Sequence, residues 1–418
     1  MSLTKKRWLI LIFSCLINLC IGSIYAWSVF ASPMAKYLST FSGKVITPGD
    51  LAIVFSIANA VGPVTMISGG FFNDKLGPRT VIFVGGLMFG GGMLLSGFAK
   101  NITMLIVSYG LLAGLGLGMT YGCTISNSVK FFPDHRGLIG GLTTAAYGIS
   151  SVLVSPIANA LNNSVGVASS FKIFGIVFGV VVCVGAFFTQ KCPVGFVPQG
   201  WTPPVRKNVS AVSRNRDWKE MLVSPIFYVM IVMLTCGATC GMMCISQASS
   251  VAQNLIGMSI VAATTVVSIL ALFNAVGRIC AGTISDLIGR INTLTIALVG
   301  SIIGLALLFF SEKGSVATFY IGIAIIGISF GSFMGIFPGF TADEFGTKNN
   351  SVNYGIMFIG FAAAGLLGPN IMTQFYDMQG SYSNAFLVAG LIAIVGLLMT
   401  LAYRALSKSK AEIIVYSC

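Results

Sequence analysis

Charge is what this sequence has least of. Only 8% of its 418 residues are Asp, Glu, Lys or Arg, where a soluble domain carries about 25%. There are 11 acidic residues and one histidine, His135. That scarcity, beside a hydrophobic content of 56%, excludes a large water-soluble globule and implies a chain threaded many times through a bilayer. A lone histidine in a loop leaves no ligand set for a metal site, and no nucleophile–base pair can be assembled, so neither an enzyme nor a cofactor is expected. Cysteine is present ten times but never in a loop on the outer side. A disulfide framework is thereby excluded, and the Cys236, Cys240, Cys244 stripe at four-residue spacing reads as small-residue helix packing.

What is present is a series of long apolar runs. Twelve are expected to be helices, at 8–30, 50–72, 80–98, 103–128, 138–161, 170–190, 223–247, 259–284, 292–311, 316–337, 353–374 and 383–403, each long enough to span a bilayer. The first follows Lys5, Lys6 and Arg7, but it is too long for a signal-peptide core and lacks a cleavage site, so it counts as a span. With the N-terminus placed inside, the inner segments hold 18 of the 24 Lys and Arg residues and the outer side five: Lys36, Lys44, Lys100, Lys172 and Lys313. The bias puts both termini in the cytoplasm and accounts for most of the +13 net charge. No nucleic-acid surface need be invoked.

The remaining cation is Arg278. It lies eight residues before Asp286 in an otherwise uncharged run, about 12 Å into a hydrocarbon layer about 30 Å thick. A guanidinium there costs at least about 2.5–3.5 kcal/mol, so it faces a cavity, a partner or an anion. No span supplies a carboxylate, and an anionic ligand is the leading explanation. Asn274, one helical turn earlier, is placed to orient it. Tyr25, Tyr121, Phe330 and Tyr354 are candidate walls or hydroxyl donors of the same site. Trp27 reads as an interface anchor, and Asp50 and Asp377 as surface charge.

Two halves repeat. Residues 1–190 are expected to form one six-helix bundle, 191–222 a connector on the cytoplasmic side, and 223–418 a second bundle with a short tail. Gly70, Asp74, Lys75, Gly77 and Arg79 close the second helix, and Gly282, Asp286, Gly289 and Arg290 close the eighth in the same order. Gly114, Gly118 and Gly122 on the fourth helix recur, at nearly the same offset along the chain, as Gly327, Gly331 and Gly335 on the tenth. Glycines at four-residue spacing let helix backbones approach. The Asp and basic residues at the inner ends can latch neighbouring helix ends together. Duplicated bundles of this kind serve alternating access.

Taken together these residues resemble the major facilitator superfamily. Within it, Ile24-Tyr25-Ala26-Trp27-Ser28-Val29-Phe30, Pro193-Val194-Gly195-Phe196-Val197-Pro198-Gln199-Gly200-Trp201 and Asn274-Ala275-Val276-Gly277-Arg278 are similar to the oxalate/formate antiporter family of bacterial small-carboxylate carriers. The resemblance implies an all-α, twelve-helix secondary transporter of the bacterial cytoplasmic membrane. Its eighth-helix arginine would bind a carboxylate, with protons or a counter-anion as the coupled species and a monomer as the working unit. The oxalate antiporter adds an eleventh-helix lysine, but counting on from Asn353-Tyr354-Gly355 reaches Phe361 here. One cation instead of two favours a monoanion such as lactate, pyruvate or formate over oxalate. Animal monocarboxylate carriers place an aspartate where this chain has Asn274. A non-transporting carboxylate sensor is the alternative from another class, but the chain offers no output domain.

Overall fold

The computed structural model describes residues 2–202 and 215–415, with the side chains of 260, 261, 264 and 409–415 excepted. Arg206, Lys207, Arg214 and Cys418 lie outside the described residues. The described residues are helical with no strand, and twelve helices are long and apolar enough to span a membrane. They are α1 (Leu3–Ser42), α2 (Ala52–Leu76), α3 (Pro78–Ser96), α4 (Ile102–Phe131), α5 (Arg136–Val165) and α6 (Val167–Phe188). After the short helix Trp218–Val223 come α7 (Pro225–Asn254), α8 (Ile260–Ile288), α9 (Arg290–Phe309), α10 (Val316–Phe345), α11 (Asn350–Gln379) and α12 (Ser383–Val415). All twelve expected spans are present.

Two ends depart from the apolar pattern. The first helix runs on to Ser42, through Pro33 and Lys36, because polar residues outside the hydrocarbon layer can continue a helix once it is nucleated. It also starts at Leu3, so Arg7 is not a free flanking charge. Arg7 is only 7% exposed, lies over the Phe132 ring at 4.3 Å and donates to the Phe131 carbonyl at 3.4 Å. Trp27 is a second correction. It is buried against Tyr109, with ring centroids 4.8 Å apart, and is no lipid-facing anchor.

The chain divides into two compact units, and they do not follow the sequence halves at two places. Unit 1 comprises Met1–Pro133, Ala146–Gln199 and Lys348–Ile356; unit 2 comprises Asp134–Ala145, Gly200–Thr347 and Met357–Cys418. The start of α5 thus packs with α8 and α10, and the start of α11 with α2 and α4. The crossover in α11 coincides with a break in its helix at Phe358.

Within each unit the glycine ridges work in register. In unit 1 a methyl group added at Gly114, Gly118 or Gly122 would strike Ala58, Gly62 or Met66 of α2. In unit 2 one added at Gly327, Gly331 or Gly335 would strike Leu270, Asn274 or Arg278 of α8. One constant shift along the chain carries each α2 partner onto its α8 counterpart, so the repeat read in the sequence is a repeat of contacts. Gly77 and Gly289 end α2 and α8 with φ of 95° and 91°, a backbone region that excludes ordinary side chains and turns the chain at once into α3 and α9. Cys236, Cys240 and Cys244 are buried, and the Cys240 thiol donates to the Ala389 carbonyl of α12 at 3.4 Å, in keeping with helix packing.

Candidate anion site and its flanking latches

Arg278 is held from three sides in unit 2. Gly335 of α10 and Gly141 of α5 both abut its carbonyl, so helices α5, α8 and α10 meet at this residue with backbone on backbone. The residue is 2% exposed. Its Nε donates to Asn274 Oδ1 at 3.1 Å and its Nη1 to the Thr144 carbonyl at 2.6 Å. Both acceptors are neutral. Among the described residues no carboxylate pairs with Arg278, and Nη2 makes no hydrogen bond. A guanidinium has five N–H donors, of which these contacts use two. The remaining edge is the one that a carboxylate takes with two parallel bonds. The matching position in unit 1, Met66, has its carbonyl against Gly355 and its side chain against Gly122, and carries no charge.

The other sequence candidates fall into two sets. In unit 2 the Phe330 ring lies on Gly241 of α7 and 6.4 Å from the Phe361 ring, which in turn stacks on Phe358 at 4.6 Å. Phe361 therefore belongs to an aromatic wall. In unit 1 Tyr25 and Tyr121 both pack against Tyr147 of α5, with ring centroids 5.1 and 4.7 Å away. Tyr25 sits on a tight 3-10 stretch, Gly22–Ala26, that interrupts α1, and Gly22 lets the Tyr147 carbonyl close on it. Tyr354 is buried in unit 1 at 1% exposure. Tyr147 escaped the sequence reading. It lies about one helical turn along α5 from Thr144.

The loops closing α2 and α8 form latches, each aspartate holding the N-terminus of another helix. Asp286 accepts from the Gly137 and Leu138 amides, both at 2.9 Å, at the start of α5. Asp74 accepts from the Val352 amide at 3.3 Å, at the start of α11. A carboxylate there satisfies amides that have no helical partner and complements the helix dipole. Asp286→Asn is expected to speed amide hydrogen exchange at Gly137 and Leu138 on the order of tenfold, the size of a lost cap. Unchanged exchange would show that the cap is incidental.

The two latches differ in their charges. Arg290 pairs with Asp286 at 2.7 Å and with Asp343 of α10 at 2.9 Å, and Asp343 also takes Arg136 at 2.5 Å. The offset that relates the glycine ridges matches Asp343 to Lys130 of unit 1, which pairs with Asp74 at 2.6 Å. The sign at the end of α4 and α10 is inverted between the repeats. Arg79 donates to the Phe187 carbonyl at 3.0 Å, and Lys75 lies over the Phe71 ring at 4.1 Å, so neither joins Asp74. Beside the unit 1 latch, Asn73, Ser126 and Ser351 form a buried chain of hydrogen bonds at 2.7 and 2.8 Å. Next to it the Asn350 amide is wholly buried with neither polar atom hydrogen-bonded.

Asp50 caps a turn outside the spans. Its carboxylate accepts from the Thr47 amide at 2.8 Å and hydroxyl at 2.9 Å, which holds its pKa below the ordinary carboxylate value. A depressed pKa means that its contribution to the fold is present above the unfolded value and is lost only as pH falls through the lower folded value. Asp50 therefore stays ionised across the neutral range. Asp50→Asn is expected to leave the pH profile of uptake between about pH 5 and 8 unshifted; a displaced profile would make Asp50 a coupling group.

Comparison with known proteins agrees with this architecture. The sequence model described as Major Facilitator Superfamily matches residues 8–369. An uncharacterized MFS-type transporter, YhjX, of Escherichia coli (strain K12) is 30% identical over 85% of each chain. The oxalate:formate antiporter of Oxalobacter formigenes is 28% identical over 94% of this chain and 90% of its own. Monocarboxylate transporter 13 of Rattus norvegicus is 24% identical over 91% and 85%. Among solved structures, the proton:xylose symporter XylE superposes with a TM-score of 0.73 over 96% of each chain at 13% identity. FucP in its outward conformation gives 0.68 over 94% of this chain and 98% of that one, at 15%. At such identities the structures speak for the fold alone.

Proposed function

We propose that this chain, which belongs to the Major Facilitator Superfamily and is an integral membrane transporter, carries small monocarboxylate anions such as lactate, pyruvate or formate by alternating access. The observation that carries the reading is Arg278: a cation 2% exposed, oriented by two neutral acceptors, with an edge left for an anion. The substrate carboxylate takes Nη2 and the free Nη1 hydrogen. Asn274 and the Thr144 carbonyl fix the plane of the fork, so little entropy is lost when the anion arrives. Phe330 and Phe361 give the organic end an apolar wall, and Phe361 stands at the eleventh-helix position that the resemblance matches to the oxalate antiporter's lysine. Tyr25, Tyr121 and Tyr354 remain candidate substrate contacts on their own account. That an oxalate:formate antiporter and a monocarboxylate transporter are among the relatives supports a carboxylate as the cargo.

Coupling follows from charge. An empty Arg278 is a bare cation in an apolar setting, and moving the site across the membrane without an anion exposes that charge to hydrocarbon. Exchange of one anion for another avoids the empty step and needs no titrating side chain. The latches then serve as gates. Each holds a helix start by its aspartate, and opening releases α5 from Asp286 or α11 from Asp74. With the basic loops on the cytoplasmic side, both termini inside and the monomer as the unit of transport, these latches close the inner mouth.

Counterflow of labelled lactate, pyruvate, formate and oxalate by the purified protein in proteoliposomes tests the reading. A monoanion is expected to be the best substrate, and uptake to require internal anion. Oxalate as best substrate would return the chain to its oxalate-carrying relative's chemistry and refute the single-cation argument. Robust pH-driven uptake with no internal anion would refute obligatory exchange.

A further inference from the structure

We infer that the α2–α3 turn of unit 1, together with the start of the connector, forms a binding site for the headgroup of an anionic phospholipid of the surrounding bilayer. Three cations gather there. The Lys191 ammonium donates to the Lys75 carbonyl at 2.8 Å, its stem lies against Gly77, and Arg79 is anchored by its bond to the last turn of α6. All three are exposed, and among the described residues none of them has an ion pair. The nearby Asp74 does not neutralise them, because its carboxylate is turned to Lys130 and Val352.

The equivalent turn in unit 2 is different in kind. Arg290 is spent on Asp286 and Asp343, and Leu287 stands where unit 1 has Lys75. A gate needs no surplus of three cations, since the unit 2 latch holds without one. The surplus in unit 1 goes beyond what the latch uses and leaves three cations available to a partner outside the chain.

Its surroundings fix what that is. Phe71, Phe72 and Leu76 at the end of α2, and Phe187 and Phe188 at the end of α6, are 42–67% exposed. They stand on the last turns of two spanning helices, at the depth where acyl chains meet headgroups. An occupant must present apolar chains to these rings and negative oxygens to the cations. A phospholipid with a net negative headgroup does both, while a soluble anion satisfies only the second demand. The donors are numerous. Lys191 uses one of its three N–H bonds, Arg79 one of its five, and Lys75 none, being held over Phe71. A phosphodiester with its two free oxygens can be gripped by Arg79 and one lysine while the other meets the headgroup's remaining oxygens.

Full-length protein purified in neutral detergent is titrated with phosphatidylglycerol and with phosphatidylcholine of the same acyl chains, and retained lipid is counted by native mass spectrometry. The wild type is expected to hold phosphatidylglycerol at least about tenfold more tightly. The K75Q/R79Q/K191Q variant is expected to lose about fivefold per cation, on the order of a hundredfold in all, and with it the preference. A variant that removes as much charge elsewhere, K5Q/K6Q/K219Q, is expected to keep both. K191Q alone lies outside the turn and gives a fivefold loss even where the triple variant fails to fold. The inference is overturned by equal retention of the two lipids, or by an equal loss in K5Q/K6Q/K219Q, which would mean a diffuse basic surface. Equal protection against thermal unfolding by glycerol phosphate would also overturn it, since the site would then be one for free phosphate.

Discussion

Arg278→Gln is expected to reduce counterflow of the best substrate by at least about a hundredfold while the purified protein keeps its melting temperature to within a few degrees. The size follows from the bond removed. A buried charge-assisted pair costs about 2–5 kcal/mol when one partner is truncated, and each 1.4 kcal/mol is a factor of ten. The fold should survive because glutamine can still donate to the Thr144 carbonyl or Asn274 Oδ1, the two contacts that tie Arg278 to its unit. Its neutral amide is also easier to bury than a guanidinium. Arg278→Lys is a sharper probe. It keeps the charge but loses the planar fork, and a point charge cannot hold a carboxylate by two parallel bonds while remaining tied to two acceptors. Lysine should therefore restore little of the lost rate. Normal transport by either variant would remove Arg278 from the substrate site and make it a structural tie between α5 and α8.

Gly141→Val should have the largest effect on stability. A methyl group at Gly141 would overlap the Arg278 carbonyl oxygen and lie 3.0 Å from its carbon and 3.1 Å from the Ile279 Cα. Every one of those atoms is backbone, so no side chain can swing away, and α5 must lift off α8. Lifting breaks the Thr144 bond to Arg278 and pulls the helix start away from Asp286. Overpacking of this kind costs about 1–3 kcal/mol or more. The expected result is a clear fall in detergent melting temperature together with loss of uptake, with Gly141→Ala milder but of the same sign. Gly91→Ala is the control, since nothing lies within 4 Å of a methyl group placed there. A Gly141→Val protein as stable as Gly91→Ala would show that α5 and α8 do not need their close approach.

The spans and their number were legible because hydrocarbon demands long apolar runs and tolerates almost nothing else. The repeat was legible because glycines at fixed spacing leave a mark that drift in the other residues does not erase. Arg278 was legible for the opposite reason, as the one residue the membrane should penalise. What the sequence hid were contacts formed at long range between ordinary residues. Asp343 lies 207 residues from Arg136 and carries no local sign of its role. Applying the glycine-ridge offset to Lys130 would have pointed to it. Tyr147 was hidden because a tyrosine in an apolar helix has many uses, and only the break in α1 at Gly22 brings Tyr25 onto it. Trp27 misled because proximity to a span end in sequence says nothing about which face of a helix a ring occupies.

The exchange of short segments in the composition of the units has a consequence for how the chain is made. Unit 1 is complete only when Lys348–Ile356 arrives, long after Asn73 and Ser126 have been synthesised. Until then the Asn73 amide lacks the Ser351 hydroxyl, and Asp74 lacks the Val352 amide. Closing contacts over so long a stretch is slow, because the entropy of the intervening loop must be overcome first. A truncated product ending at the connector therefore carries an unfinished polar seam, with the Asn73 amide and the Asp74 carboxylate short of the partners that Ser351 and Val352 supply.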